Sequence, residues 1–160
     1  MPLHNFGLVG QTIGRCAQPD AHGFTVLREM GYTLIAKLNT EEESSAKEEA
    51  HLFNATDGRS IAQYPNLSAL HPNEHTMRSI AEEILRLEAA GQRVLIHCTH
   101  GRDRTGMVVA AIRLMRDRWT LADALAEFKV YGEAIRPIAH AYREAIRRLH
   151  AELIQGLPSK

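Results

Sequence analysis

The residues best suited to chemistry lie between Val94 and Gly106, where a short apolar run ends in a cysteine and a loop leads into a helical pattern. Cys98 and Arg104 bracket five residues, namely Thr99, His100, Gly101, Arg102 and Asp103. A loop of this length can wrap its backbone N–H groups around a tetrahedral dianion. The helix that follows directs its free N–H groups and the positive end of its dipole to the same point. The segment therefore predicts a phosphate-binding loop.

Several side chains of this segment have a distinct chemical task. Arg104, at the end of the loop, can hold two phosphate oxygens bidentately. The cation, the helix dipole and the loop N–H groups favour the thiolate of Cys98, a nucleophile that needs no separate base. Thr105 could donate its hydroxyl to that sulfur and later help it leave. Gly101 and Gly106 suit a tight backbone and close helix packing.

The segments that position this loop alternate between strand and helix patterns. Strands are predicted over 8–16 with interruptions at Gly10 and Gly14, and over 33–38, 60–64 and 94–96. Helices are predicted over 23–30, 77–85, 105–118, 121–128 with Thr120 as cap, and 138–153 with Pro137 in the first turn. This alternation predicts an α/β fold whose central, mostly parallel sheet has about four or five strands flanked by helices. In such sheets ligands bind beyond the carboxyl ends of the strands.

The charge is balanced overall but uneven along the chain. The 160 residues carry 19 basic and 19 acidic side chains, so we expect neither a nucleic-acid partner nor attraction to a membrane surface. Thr40 and Glu43 form a capping box that opens a predicted helix with little apolar surface. The acidic run from Glu41 to Glu49 lies on that helix, and we expect its side chains to be solvated.

Length and cysteine content set the expected context. A chain of 160 residues fits one domain, which we place at residues 1–155 with a flexible tail at 156–160. No apolar run is long enough to span a bilayer, and residues 1–10 lack the pattern of a secretory signal. Two cysteines are too few for a disulfide framework. We therefore expect a cytoplasmic protein without membrane insertion, and we expect it to be a monomer.

The run His97-Cys98, five residues, then Arg104-Thr105-Gly106 resembles the signature of cysteine-dependent protein tyrosine and dual-specificity phosphatases. The resemblance implies that Cys98 is the nucleophile, that Arg104 binds phosphate and that Thr105 supplies the hydroxyl. It also implies hydrolysis through a phosphocysteine intermediate, without a metal or another cofactor.

The resemblance extends over most of the chain. The segments 5–19 and 112–131 are similar to those of the small atypical dual-specificity phosphatases of the plant-and-fungal and bacterial group. In that group the substrates include phosphoproteins and inositol phosphates or phosphoinositides. The run Cys98 to Gly101 also resembles RNA 5′-triphosphatases, although those carry asparagine where this chain has Asp103. A phosphate-recognising pseudophosphatase without useful activity is a further alternative.

The general acid is the point where the chain departs from the family pattern. These enzymes carry an aspartate on a mobile loop ahead of the cysteine, and the matching position here is Ser68. Two candidates remain. Asp103 lies inside the loop and needs only hydrogen-bond reach to the leaving oxygen, although it could instead steady Arg102 or Arg104 through a salt bridge. Glu74 follows Asn73 at a predicted helix start, where a first-turn charge is the simpler interpretation.

Three further residues could line the site. His100 and Arg102 can add positive charge at the pocket mouth, which suits a substrate with several phosphates, although His100 could simply brace the loop. The family topology implies that Cys16 lies near the phosphate loop, where it could trap oxidised Cys98 as a disulfide. The alternative for Cys16 is a small apolar residue at a strand end. Arg15 and Gln18 could line the same rim.

Overall fold

The computed structural model describes residues 3–39, 49, 53, 58–65, 67–132 and 136–156, and a single five-stranded sheet runs through them. The strands are β1 (Gly7–Val9), β2 (Ile13–Cys16), β3 (Leu34–Lys37), β4 (Ser60–Gln63) and β5 (Val94–His97). Their order across the sheet is β1-β2-β5-β3-β4. Strand β1 pairs antiparallel with β2, and every other neighbouring pair is parallel. The predicted α/β fold with a mostly parallel sheet is confirmed.

The helices with described bounds are α1 (Ala21–Glu29), α2 (Glu74–Ala89), α3 (Asp103–Met115), α4 (Leu121–Val130) and α5 (Arg136–Gln155). Side-chain caps start three of them, because a cap satisfies N–H groups that have no partner inside the helix. Asp20 accepts from the N–H of Gly23, Asn73 caps α2, and Thr120 caps α4 as predicted. The capping box predicted at 40–43 lies outside the described residues.

Two apolar clusters hold the layers together, one on each face of the sheet. The larger cluster joins one face to α2, α3, α4 and α5, and it includes Ile96 and Cys98. Helix α3 is buried from Arg104 to Leu114, which explains why its sequence is apolar on all sides. The smaller cluster packs α1 and Phe53 on the opposite face. Cys98 is thus placed between the sheet and the buried helix.

Two details differ from the sequence predictions. Gly14 lies inside β2 and does not interrupt it. A Cβ at Gly14 would lie 2.1 Å from the hydroxyl of Tyr32, so this glycine serves a close approach of a side chain. The helix predicted to reach residue 118 ends at Met115, and Arg118 adopts the left-handed conformation with φ 55°.

Further expectations from the sequence concern membrane spans, the tail, the number of domains, the oligomeric state and the location. None of the helices in the described part of the chain has the length and apolar character that a bilayer span requires. Residues 157–160 of the predicted tail lie outside the described residues. The assignment of residues 1–155 to one domain, the monomeric state and the cytoplasmic location stay predictions.

Candidate active site

The candidate site lies at the carboxyl end of β5, where the chain passes from strand to loop to helix. Cys98 directly follows β5, and α3 begins at Asp103. A cavity of about 230 Å³ opens over the cysteine. Its lining residues are Ala69, Leu70, Cys98, Thr99, His100, Asp103, Arg104, Ile138 and Tyr142. Cys98 is only 3% exposed.

The loop between Cys98 and Asp103 is pressed against the end of β2. Gly101 has φ +68°, and a Cβ there would lie 2.6 Å from the carbonyl carbon of Cys16. Both the backbone conformation and the contact therefore require glycine at this position. The N–H of Gln18 donates to the carbonyl of Thr99 at 3.1 Å, which ties the loop to the chain after β2.

Arg104 is held in place by the ends of two structural elements. Its Nη1 donates to the carbonyl of Leu38, just beyond β3, at 3.3 Å. Its Nη2 donates to Oγ1 of Thr99 at 3.5 Å. The side chain is buried and lines the cavity beside Cys98. A guanidinium fixed in this way can donate two hydrogen bonds to one oxyanion with little further loss of side-chain freedom.

The structure brings together most of the predicted loop residues. Thr99, His100, Asp103 and Arg104 share the cavity with Cys98, and the His100 side chain is exposed at its mouth. The exposed Arg102 extends instead over Gly132, where an added Cβ would lie 3.0 Å from its Cδ. Positive charge from Arg102 is therefore directed toward the turn after α4.

Thr105 is placed behind the cysteine but does not make the predicted contact. It is fully buried, and its hydroxyl has no hydrogen-bond partner among the described residues. The predicted donation to the sulfur of Cys98 is thus not formed in this structure. Its part in the release of the sulfur stays a prediction.

Glu74 lies in the first turn of α2 and does not appear among the cavity-lining residues. Its Oε2 accepts from Nε of Arg148 on α5 at 3.1 Å. Partial burial opposes ionisation, but its own backbone N–H and Arg148 outweigh this and lower the pKa of Glu74. A carboxyl that is held ionised and lies away from the cavity is poorly placed to give a proton to a substrate there. The identity of the acid stays a prediction. Glu74 also groups with His75 and Glu152 at metal-ligand spacing within the described residues, although Arg148 already engages its carboxylate.

Cys16 lies on the opposite face of the sheet from Cys98. Its Cα partner is His97, and its side chain belongs to the smaller apolar cluster. Burial raises the pKa of the Cys16 thiol, and both cysteines are free. A disulfide between them would require one side chain to cross the sheet plane. The pairing stays a prediction.

Sequence reasoning missed a buried polar cluster beneath the loop. Glu49 is 1% exposed, so the expectation that the acidic run is solvated is wrong at this residue. Its Oε1 accepts from Nζ of Lys37 at 2.9 Å and from Nε2 of Gln18 at 2.6 Å, and its Oε2 lies 3.2 Å from Nε2 of His97. Burial opposes ionisation, but these bonds outweigh it and lower the pKa of Glu49 to about 2. The one signal in the sequence is Lys37, a charge at the end of an apolar strand.

The cluster reaches the site through His97. Nδ1 of His97 lies 3.4 Å from the carbonyl oxygen of Cys98, and both groups are buried. This contact links the end of β5 to the loop. Gln18, predicted to line the rim, belongs to this cluster, and Arg15, predicted to line the same rim, lies buried behind the loop.

The comparisons with known proteins agree with this geometry. The model of the family described as the tyrosine phosphatase family matches residues 1–153. The chain belongs to this family. It is 30% identical over 152 residues to the putative tyrosine-protein phosphatase OCA1 of Mycosarcoma maydis, a match that covers 90% of this chain and 91% of that protein.

Other proteins similar to this phosphatase include relatives that are named for a different activity and a bacterial protein of similar structure. Inositol diphosphatase DSP4 of Arabidopsis thaliana is 26% identical over 136 residues, covering 84% of this chain and 67% of the relative. The catalytic core of the PP-IP phosphatase SIW14 from S. cerevisiae superposes with a TM-score of 0.76 at 23% identity, over 97% of this chain and 91% of that one. TpbA of P. aeruginosa gives a TM-score of 0.74 at 20% identity, over 94% and 91%. The fold is shared with both of these solved structures.

Proposed function

We propose that this chain is a cysteine-dependent phosphomonoesterase that works through a phosphocysteine intermediate. The observation that carries the proposal is the position of Cys98, which lies at the cavity beside the fixed guanidinium of Arg104 and directly before the loop into α3. The Cys98 thiolate attacks phosphorus, the S–P bond forms and the P–O bond to the leaving group breaks. Arg104 and the loop N–H groups stabilise the charge on the equatorial oxygens.

Asp103 supplies the proton in this mechanism. Its side chain lines the cavity at the first turn of α3, within the same space as Cys98 and Arg104. The leaving oxygen takes the proton as the P–O bond breaks. Asp103 then accepts a proton from the water that cleaves the S–P bond and releases inorganic phosphate, so the enzyme returns to its starting state.

The cavity supports an aromatic phosphomonoester such as phosphotyrosine as substrate. Four of its lining residues are apolar or aromatic, namely Ala69, Leu70, Ile138 and Tyr142. A flat ring can pack against these side chains while its phosphate enters the loop. The relative from Mycosarcoma maydis is named as a tyrosine phosphatase. An inositol polyphosphate is the second candidate, because the relatives from Arabidopsis thaliana and rice are named inositol diphosphatases.

A substrate panel with three matched variants tests the mechanism. Wild type, Cys98→Ser, Asp103→Asn and Glu74→Gln are assayed on an activated aryl phosphate, a phosphotyrosine peptide, a phosphoserine peptide, a diphosphoinositol polyphosphate and an RNA 5′-triphosphate. Cys98→Ser should lose at least about 1,000-fold in kcat. Measurable turnover by that variant would exclude the phosphocysteine route.

The same panel assigns the acid and the substrate. Asp103→Asn should lose about 100-fold on the phosphoserine peptide and far less on the activated aryl phosphate, because a good leaving group needs no proton. Glu74→Gln should match wild type on both. Faster hydrolysis of the diphosphoinositol polyphosphate than of phosphotyrosine would select the second substrate class. Binding without turnover of any substrate would indicate a pseudophosphatase.

A further inference from the structure

Arg15 is a buried cation that the mechanism above does not use. It is the third residue of β2, and its Cα partner on β5 is Ile96. Side chains at paired positions of parallel strands share one face of the sheet, so Arg15 lies on the face of Ile96 and Cys98. The side chain is 1% exposed.

The guanidinium is packed directly behind the phosphate-binding loop. Nη2 of Arg15 donates to the carbonyl oxygen of Gly101 at 3.0 Å. The ring of Tyr131 lies 3.7 Å from the guanidinium carbon. On the third side is Gly106, where an added Cβ would lie 3.6 Å from Nη2. The side chain is therefore fixed by contacts on the loop, on α3 and after α4.

The positive charge of Arg15 has no ion pair among the described residues. Its Nε and Nη1 are buried without a hydrogen-bond partner there. Three acidic groups act on its charge, namely Tyr131, Glu127 and the Cys98 thiol, and Glu127 already pairs with Arg113 at 2.9 Å. Burial lowers the pKa of Arg15 to about 10, which still leaves the group charged at neutral pH. A buried cation without an ion pair is costly, and an anion held on the other side of the loop would help to compensate it.

A second side chain holds the loop from the same side. Nδ2 of Asn5 lies 3.3 Å from the carbonyl oxygens of both His100 and Gly101, and it donates to the carbonyl of Tyr131 at 2.9 Å. In a trans peptide the C=O and the following N–H point in opposite directions. Holding the carbonyl of Gly101 behind the loop therefore turns the N–H of Arg102 toward the cavity.

We propose that Arg15 is a positioning residue for phosphate binding, which orients the loop N–H groups through the Gly101 carbonyl and supports the bound dianion with its charge. The proposal rests on the proposed function only in that the loop must bind a phosphate group. Asn5 also orients the loop through its carbonyl groups, but it contributes no charge.

Binding of tungstate, a tetrahedral dianion, tests the role of Arg15 without requiring turnover. Arg15→Met and Arg15→Lys are compared with Arg93→Met by calorimetry, alongside the melting temperature and KM for an aryl phosphate. Arg93 is a matched control because it also stacks over a tyrosine, Tyr32 at 5.2 Å, and lies just before the amino end of β5. Arg15→Met should bind tungstate at least about tenfold more weakly and show a raised KM. Arg15→Lys, which keeps a charged donor, should recover most of this loss.

If Arg15→Met binds tungstate as tightly as Arg93→Met does, Arg15 is only a structural residue, whatever the wild-type activity is. If wild type binds tungstate but hydrolyses none of the substrates, the proposed function is refuted instead.

Should Arg15→Met fail to fold, Asn5→Gly takes its place. Asn5 is half-buried with φ 56°, a conformation that glycine adopts freely, so the variant removes the amide without backbone strain. It should weaken tungstate binding about threefold and lower the melting temperature by only about 2–4 °C. Unchanged binding in this variant would contradict the positioning of the loop from behind.

Discussion

Replacing Glu49 by glutamine should destabilise the fold far more than the loss of one surface ion pair. The carboxylate is buried and accepts from Lys37 at 2.9 Å and from Gln18 at 2.6 Å. Lys37 is fully buried, so the neutral amide leaves its ammonium group without a counter-charge. Breaking a buried pair by removing one partner costs about 3–5 kcal/mol. For a domain of this size each kcal/mol corresponds to about 2–4 °C, so the melting temperature should fall by about 10 °C.

The free energy of unfolding in urea at neutral pH measures this effect. Glu82→Gln is the matched control, because Glu82 pairs with Arg78 at the same 2.9 Å but both side chains are about 40% exposed. An exposed helix pair contributes about 0.5 kcal/mol or less, so the control should change little. The double replacement Lys37→Met with Glu49→Leu should recover most of the stability, because it removes both charges at once. A loss below about 1 kcal/mol in Glu49→Gln would refute the reasoning, since a buried ammonium group would then tolerate isolation.

Three further predictions concern the loop, the cavity wall and acid stability. Gly101→Ala places a Cβ 2.6 Å from the backbone of Cys16 at φ +68°, so we expect at least about 3 kcal/mol of destabilisation in urea and loss of activity; near-normal kcat/KM would contradict this. Tyr142→Phe removes the donation to the carbonyl of Ala69 at 2.8 Å, so KM should rise about fivefold while the melting temperature falls by only about 2–4 °C. An unchanged KM would show that this bond does not shape the cavity. Because the pKa of Glu49 is lowered to about 2, its contribution to stability is complete above about pH 4.3 and is lost as the pH falls toward 2. Urea unfolding at pH 5, 4 and 3 should therefore show a steeper decline for wild type than for Glu49→Gln, and parallel declines would contradict the assignment.

The features that depend on residues close together in the chain could be predicted from the sequence. The spacing of Cys98 and Arg104 on a strand–loop–helix pattern predicted the phosphate-binding loop, and the structure places both residues at one cavity. The caps and glycines predicted most elements to within a few residues. Gly14 was misinterpreted because its reason, the close approach of Tyr32, comes from a distant part of the chain.

The residues that support the loop were not predictable in this way. Glu49 reads as part of a solvated acidic run, and its burial follows only from its partners Lys37 and His97, which become neighbours when β3 pairs with β5. Arg15 was expected at the rim, yet the register of β2 against β5 puts it behind Gly101. Side-chain contacts that depend on the order of the strands in the sheet cannot be predicted from the periodicity or spacing of residues in the sequence.

The place of β5 in the sheet has a consequence for the order in which the fold can assemble. β5 is the last of the described strands along the chain, yet it lies between β2 and β3 at the centre of the sheet. Parallel pairings of this kind join distant parts of the chain and form late. Cys98 therefore takes its place at the cavity only when these pairings have closed the sheet around β5.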